Sequence, residues 1–107
     1  MSLSIDLIAI KPTSVFDCNI THNLGAMAAE AGIYDCLWRA PENGFTHAKQ
    51  LVEPLTKAVM DMASRPAYYK KFDSPNGWGT YDNFLPWLKR LLNACIENPE
   101  AELETSR

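Results

Sequence analysis

Leu3-Ser4-Ile5-Asp6-Leu7-Ile8-Ala9-Ile10 is the stretch on which the fold turns: Leu3, Ile5, Leu7 and Ala9 alternate with Ser4 and Asp6, and Ile8 and Ile10 add a second apolar face. A period of two predicts a strand with one side turned to a core. Lys11-Pro12-Thr13-Ser14 interrupts it. From Val15 to Ile20 the chain then sets Phe16, Cys18 and Ile20 on one side and Val15, Asp17 and Asn19 on the other, the pattern of a hairpin partner. At the far end Ala101-Glu102-Leu103-Glu104-Thr105 alternates again, which reads as an exposed strand rather than a frayed acidic tail. A hairpin alone is marginal in water, so this last strand is expected to return to it and complete a small antiparallel sheet.

Between the two ends the period lengthens to that of helices. Ile20, Leu24, Met27 and Ala31 recur at helical spacing from a start at Asn19 or Thr21, and Gly32 provides a left-handed stop. Ile33 to Arg39 forms a further short helix with Ile33, Leu37 and Trp38 inward, broken by Pro41-Glu42-Asn43-Gly44. Thr46 is positioned to cap a helix whose stripe is Leu51, Leu55, Ala58, Val59 and Met62, with Pro54 marking a kink or the true start. Ser64-Arg65-Pro66 stops that helix and opens a short one over 67–72. Last and clearest is the stripe Tyr81, Phe84, Leu85, Leu88, Leu91, Leu92 and Cys95, capped by Thr80, closed by Asn98-Pro99 and bent at Pro86. The expected fold is therefore α+β, mostly helical, with three to five helices on a sheet made of an N-terminal hairpin and a C-terminal strand.

Composition bounds the function. The chain has 107 residues, 47% of them hydrophobic and 21% charged, which fits one domain spanning 1–107 and able to fold by itself. The net charge of −3 is small, and four of the thirteen acids (Glu97, Glu100, Glu102 and Glu104) crowd the C-terminal end. No basic stripe exists to grip phosphate backbones, so nucleic acid is not an expected partner. Apolar runs fall far below the roughly twenty residues that span a bilayer, and no basic segment followed by an apolar core opens the chain. A soluble, cytoplasmic protein is expected, with no membrane partner. Cys18, Cys36 and Cys95 are widely separated and set among apolar residues, the pattern of buried thiols in a reducing compartment. His22 and His47 have no cysteine or acid at ligand-like spacing, so neither metal nor cofactor is expected.

Two polar segments stand out. Asn19-Ile20-Thr21-His22-Asn23-Leu24 places four polar side chains at a helix mouth, where Asn19, His22 and Asn23 either contact a ligand or form a capping network. Asn76-Gly77-Trp78-Gly79-Thr80-Tyr81 sets two aromatics and two glycines in a loop, the Asn-Gly pair fitting a turn with positive φ. Trp78 and Tyr81, joined by Trp38, offer an aromatic platform for a planar ligand, with Arg39, Lys70 and Lys71 supplying charge. A groove follows only where these segments converge; otherwise Trp78 plugs the core edge. Neither the Walker spacing nor the dinucleotide-binding spacing is present. Cys18 with His22 four residues on is a poor nucleophile pair, because nothing fixes the geometry between them.

These same residues carry a resemblance. Asn19-Ile20-Thr21-His22-Asn23-Leu24, Met27-Ala28, Ala31-Gly32-Ile33-Tyr34, Leu37-Trp38-Arg39, Asn76-Gly77-Trp78-Gly79-Thr80-Tyr81 and the closing segment from Ala101 to Arg107 resemble a family of small bacterial, prophage and phage proteins with no assigned activity. The likeness spans most of the chain and departs at Pro86. It implies a prokaryotic or viral context and nothing about mechanism. The expectation is a non-enzymatic interaction or adaptor module that binds a protein partner or its own copy, with a small-molecule binder for a nucleotide-like planar anion as the alternative. An enzyme is the least supported reading.

Overall fold

A computed structural model of the chain describes residues 2–8 and 14–106. Three strands, β1 (Ser2–Ile8), β2 (Ser14–Thr21) and β3 (Glu102–Ser106), form an antiparallel sheet in the order β2-β1-β3. The fold is α+β, and the C-terminal segment does return to the hairpin. The predicted strand end at Ala9-Ile10 and the turn at Lys11-Pro12-Thr13 lie outside the described residues.

The register explains why β1 is central. Leu3, Ile5 and Leu7 are all but fully buried, and they stand opposite Ile20, Cys18 and Phe16 of β2. On the other side Leu7 pairs with Leu103 and Ile5 with Thr105. One face of the sheet is thereby apolar on all three strands. The opposite face carries Ser4 and Asp6 with Asn19 and Asp17 on one side and Ser106 and Glu104 on the other.

Five α-helices occupy the described residues between β2 and β3: α1 (Gly25–Glu30), α2 (Tyr34–Trp38), α3 (Lys49–Ser64), α4 (Pro66–Lys70) and α5 (Tyr81–Glu97). The first begins later than its periodicity predicts. Strand β2 runs on to Thr21, a single 3-10 turn covers His22–Leu24, and Ile20 serves the sheet instead of a helix. Gly32 takes φ 80° just after this helix, as its position requires. Thr46 is not the cap of α3. That helix starts at Lys49, and the Gln50 side-chain oxygen accepts from the Thr46 and His47 amides at 2.7 and 2.8 Å.

Helices α3 and α5 pack together through Leu51, Leu55, Ala58 and Met62 on one side and Phe84, Leu88, Leu91 and Cys95 on the other. Trp87, absent from the predicted stripe, is also buried and stacks on Phe84 at 5.9 Å. Both helices continue through their prolines. Between α3 and α4 sits a polar node: Arg65 donates Nε to Asp61 Oδ1 at 3.0 Å and a terminal nitrogen to Oδ2 at 2.6 Å, and the buried Tyr69 donates its hydroxyl to the same carboxylate. The Arg65 hydrogen bonds, followed by that of Tyr69, hold the Asp61 carboxyl below its ordinary range.

Two outcomes are expected. In urea, Ile5→Ala should lower stability by about 2–5 kcal/mol because it opens a core cavity, while Ser4→Ala on the other face should stay within about 0.5 kcal/mol. Because Asp61 titrates lower when folded than when unfolded, its contribution is complete above the ordinary carboxylate range and is lost as pH falls through the folded value. Melting temperatures taken from pH 7 down to pH 3 should fall less steeply for Asp61→Asn than for the native chain.

Candidate functional site

Asn23 and Trp78 are 55 positions apart in the chain, yet the Asn23 side-chain amide donates to the Trp78 carbonyl at 2.8 Å. The two polar segments therefore meet. Gly79 makes the approach possible: a Cβ built there would lie 3.1 Å from Asn23 Cβ, 3.1 Å from Thr21 Cγ2 and 3.3 Å from Leu24 Cγ. Its φ of 109° is a second reason for glycine. Residue 79 is the point at which the loop presses onto the end of β2.

Within the loop, Asn76 is structural. Its Oδ1 accepts from the Trp78 amide at 2.9 Å and from the Ser74 hydroxyl at 2.7 Å, and the Ser74 amide donates to the Gly79 carbonyl at 2.9 Å. These bonds close a small ring of chain that projects Trp78 outward. The Trp78 side chain is left with the residue 71% exposed, whereas Trp38 and Trp87 are each 2% exposed. Such an exposed indole, held on a hydrogen-bonded loop, has no role in the core.

Beneath it runs an open groove of about 860 Å³ lined by Ser2, Asn19, Ile20, Thr21, His22, Asn23, Asn76 and Trp78. His22 is held within this lining from behind. The Trp38 indole donates to His22 Nδ1 at 2.7 Å. An indole N–H can only donate, so Nδ1 carries no proton in this arrangement and the ring proton sits on Nε2. Trp38 thus fixes the tautomer and the ring position of His22 from inside the core, and Tyr34 stacks on Trp38 at 5.4 Å and 6° to hold it. Thr21 caps the following turn, its hydroxyl accepting from the Asn23 amide at 3.3 Å.

The structure brings together Asn19, His22, Asn23, Asn76 and Trp78 of the residues singled out from sequence, and it sets the others apart. Trp38 is buried behind His22 and forms no platform with Trp78. Tyr81 is 7% exposed, donates its hydroxyl to the Met62 carbonyl at 2.8 Å and donates its amide to Asp73 Oδ1 at 2.7 Å. Thr80 is the N-cap of α5, accepting from the Asn83 amide. Arg39 pairs with Glu42 at 3.1 Å, Lys70 with Asp82 at 3.9 Å, and Lys71 lies over the Tyr68 ring at 4.4 Å. None of the three cations lines the groove, so its walls are neutral and rich in amides.

Ser2, Ile20 and Thr21 are lining residues that the motif reading missed as a binding surface. Hairpin register would have found Ser2, since it stands opposite Thr21. Cys18 faces the core opposite Ile5, and burial pushes its thiol up to about 12, with Cys36 and Cys95 raised to about 12 for the same reason. Such thiols are poor nucleophiles near neutrality. Among the described residues no three His, Cys, Asp or Glu side chains gather as a metal site, and no helix is long and apolar enough to cross a membrane.

Comparison with protein-family models, curated proteins and solved structures gave no match.

Gly79→Ala should destabilise the chain by more than the about 1–2 kcal/mol that a left-handed alanine costs, because its methyl also strikes the β2 end. Gly77→Ala, with φ 78° but open space around it, should cost only the backbone share; urea unfolding of both variants checks the order. At pH 8, the cysteines should react with an aromatic disulfide reagent slowly in the native protein and completely once it is unfolded.

Proposed function

We propose that this protein is a non-enzymatic interaction module whose groove beneath Trp78 receives part of a protein partner. The carrying observation is the exposed indole on a loop locked to the β2 end by the Asn23–Trp78 bond. An aromatic ring displayed over a concave, amide-lined surface is the composition of an interface anchor, where tryptophan contributes a disproportionate share of binding energy. Asn19, Asn23, Thr21 and Ser2 match the donors and acceptors of a peptide, and the fixed His22 tautomer adds one donor at Nε2.

The alternative, a nucleotide-like planar anion, has less support. It needs a cation beside the ring, and Arg39, Lys70 and Lys71 are engaged elsewhere. A catalytic reading has no activated nucleophile to rest on. The prokaryotic or viral context implied by the resemblance, and a cytoplasmic setting, agree with an adaptor role.

Because the other two tryptophans are buried, Trp78 is a selective reporter. Panning a displayed random-peptide library on the protein should enrich peptides that blue-shift its emission and protect it from acrylamide. Trp78→Ala should weaken those peptides by about 2 kcal/mol or more, the loss typical of an anchor residue, with unchanged circular dichroism. Enrichment of nothing, or a saturating thermal shift with nucleotides, would overturn the reading.

A further inference from the structure

The sheet has two outer strands, and they are finished differently. Outside β3, the Leu103 amide donates to the Thr46 carbonyl at 2.8 Å and the Ala48 amide to the Ala101 carbonyl at 2.8 Å, while His47 bridges to Glu102. The 46–48 segment covers the start of that edge. Strand β2 has β1 as its neighbour on one side only, and along Asp17–Thr21 no further main-chain bond is made among the described residues. In an antiparallel pair every second residue points its N–H and C=O away from its partner, so this stretch of β2 presents a ladder ready for another strand.

Two features select what would fill it. The last three residues of β2, Asn19, Ile20 and Thr21, also line the groove under Trp78, so the open edge runs into the site described above. Charge is the second. On the outer face, Asp6 stands directly between Asp17 of β2 and Glu104 of β3. Like charges opposite one another in a sheet are unfavourable, and this row ends at the open edge with Asp17 exposed. A cation placed next to Asp17 on an added strand would relieve that repulsion. A second copy of this chain pairing β2 with β2 would instead bring another Asp17 to the same acidic edge.

We infer that the partner docks as an extended basic peptide, adding antiparallel to β2 as a fourth strand with a Lys or Arg beside Asp17 and an aromatic residue beside Thr21 in the groove under Trp78. In that direction the aromatic residue precedes the basic one by four positions, and the period of two puts both on one face. The inference rests on the interaction-module reading and specifies its partner.

The test uses the full chain and a capped eight-residue peptide with tyrosine at its second position, lysine at its sixth, and threonine or valine elsewhere. The native protein should bind it with a blue shift of Trp78 emission and with amide chemical-shift changes concentrated at residues 17–21. Replacing the lysine by glutamate, or making Asp17→Lys in the protein, should each weaken binding by about five- to tenfold, and combining the two should restore it. N-methylation at alternate peptide residues on the edge facing β2 should weaken binding at least about tenfold, since the side chains stay while the ladder donors go.

Equal affinity for the N-methylated peptide, with Trp78 still responding, would overturn strand addition and leave the groove reading standing. Absence of any Trp78 response to this peptide or to library-selected ones would overturn both. Shift changes at residues 102–106 instead of 17–21, or a concentration-dependent dimer by light scattering that protects the amides of 17–21 without peptide, would overturn the assignment of the β2 edge to a basic partner.

Discussion

The close approach at Gly79 is the constraint from which the functional surface follows. Any side chain there would meet Thr21, Asn23 and Leu24 at once. With the loop seated, the Asn23 amide reaches the Trp78 carbonyl, Asn76 holds the Trp78 amide, and the indole is turned out over the end of β2. The contact also ties the region before α5 to the junction between β2 and α1, which are distant in sequence. It therefore serves the fold and the surface together: the bond that orders the loop also aims its aromatic residue.

Trp38 plays the complementary part from beneath. It belongs to the core by burial, yet its one polar atom leaves the core to bind His22. A buried indole N–H without a partner is costly, so the histidine that lines the groove also satisfies an obligation of the interior. The groove and the hydrophobic core are thus linked through the Trp38–His22 hydrogen bond, and Tyr34, one turn earlier on α2, stacks on Trp38 to brace it.

Much of the architecture could be read from the residues. Alternation in 3–7 and again in 101–105 identified the strands, and the spacing of Leu51, Leu55, Ala58 and Met62 identified the inner face of α3. The misreadings share a cause: a local signal gave way to a tertiary one. Ile20 fits both the alternation of Phe16 and Cys18 and a helical period with Leu24, and pairing with Leu3 keeps it in the sheet, so only the helical half of that reading fails. Thr46 has the chemistry of a cap, but its segment is engaged with Leu103, its amide is held by Gln50, and α3 begins at Lys49 without a side-chain cap. Trp78 and Trp38 have the same composition and opposite fates, and only the packing around Tyr34 and His22 separates them. Gly77 and Gly79 both have positive φ, yet only Gly79 touches another segment. A sequence shows that glycine is wanted; the contact that wants it lies elsewhere in the chain.

Prolines occupy the same place in both long helices: Pro54 is the sixth residue of α3 and Pro86 the sixth of α5. Each removes the main-chain donor that would reach back one turn, to the carbonyl of Gln50 and of Asp82, both at exposed positions. The opening turns of these rods are consequently joined to the remainder by one rung fewer than a regular helix would have. Leu51 and Phe84 lie in those opening turns and are buried in the core, so side-chain packing supports both helices where their main-chain ladders lack a bond.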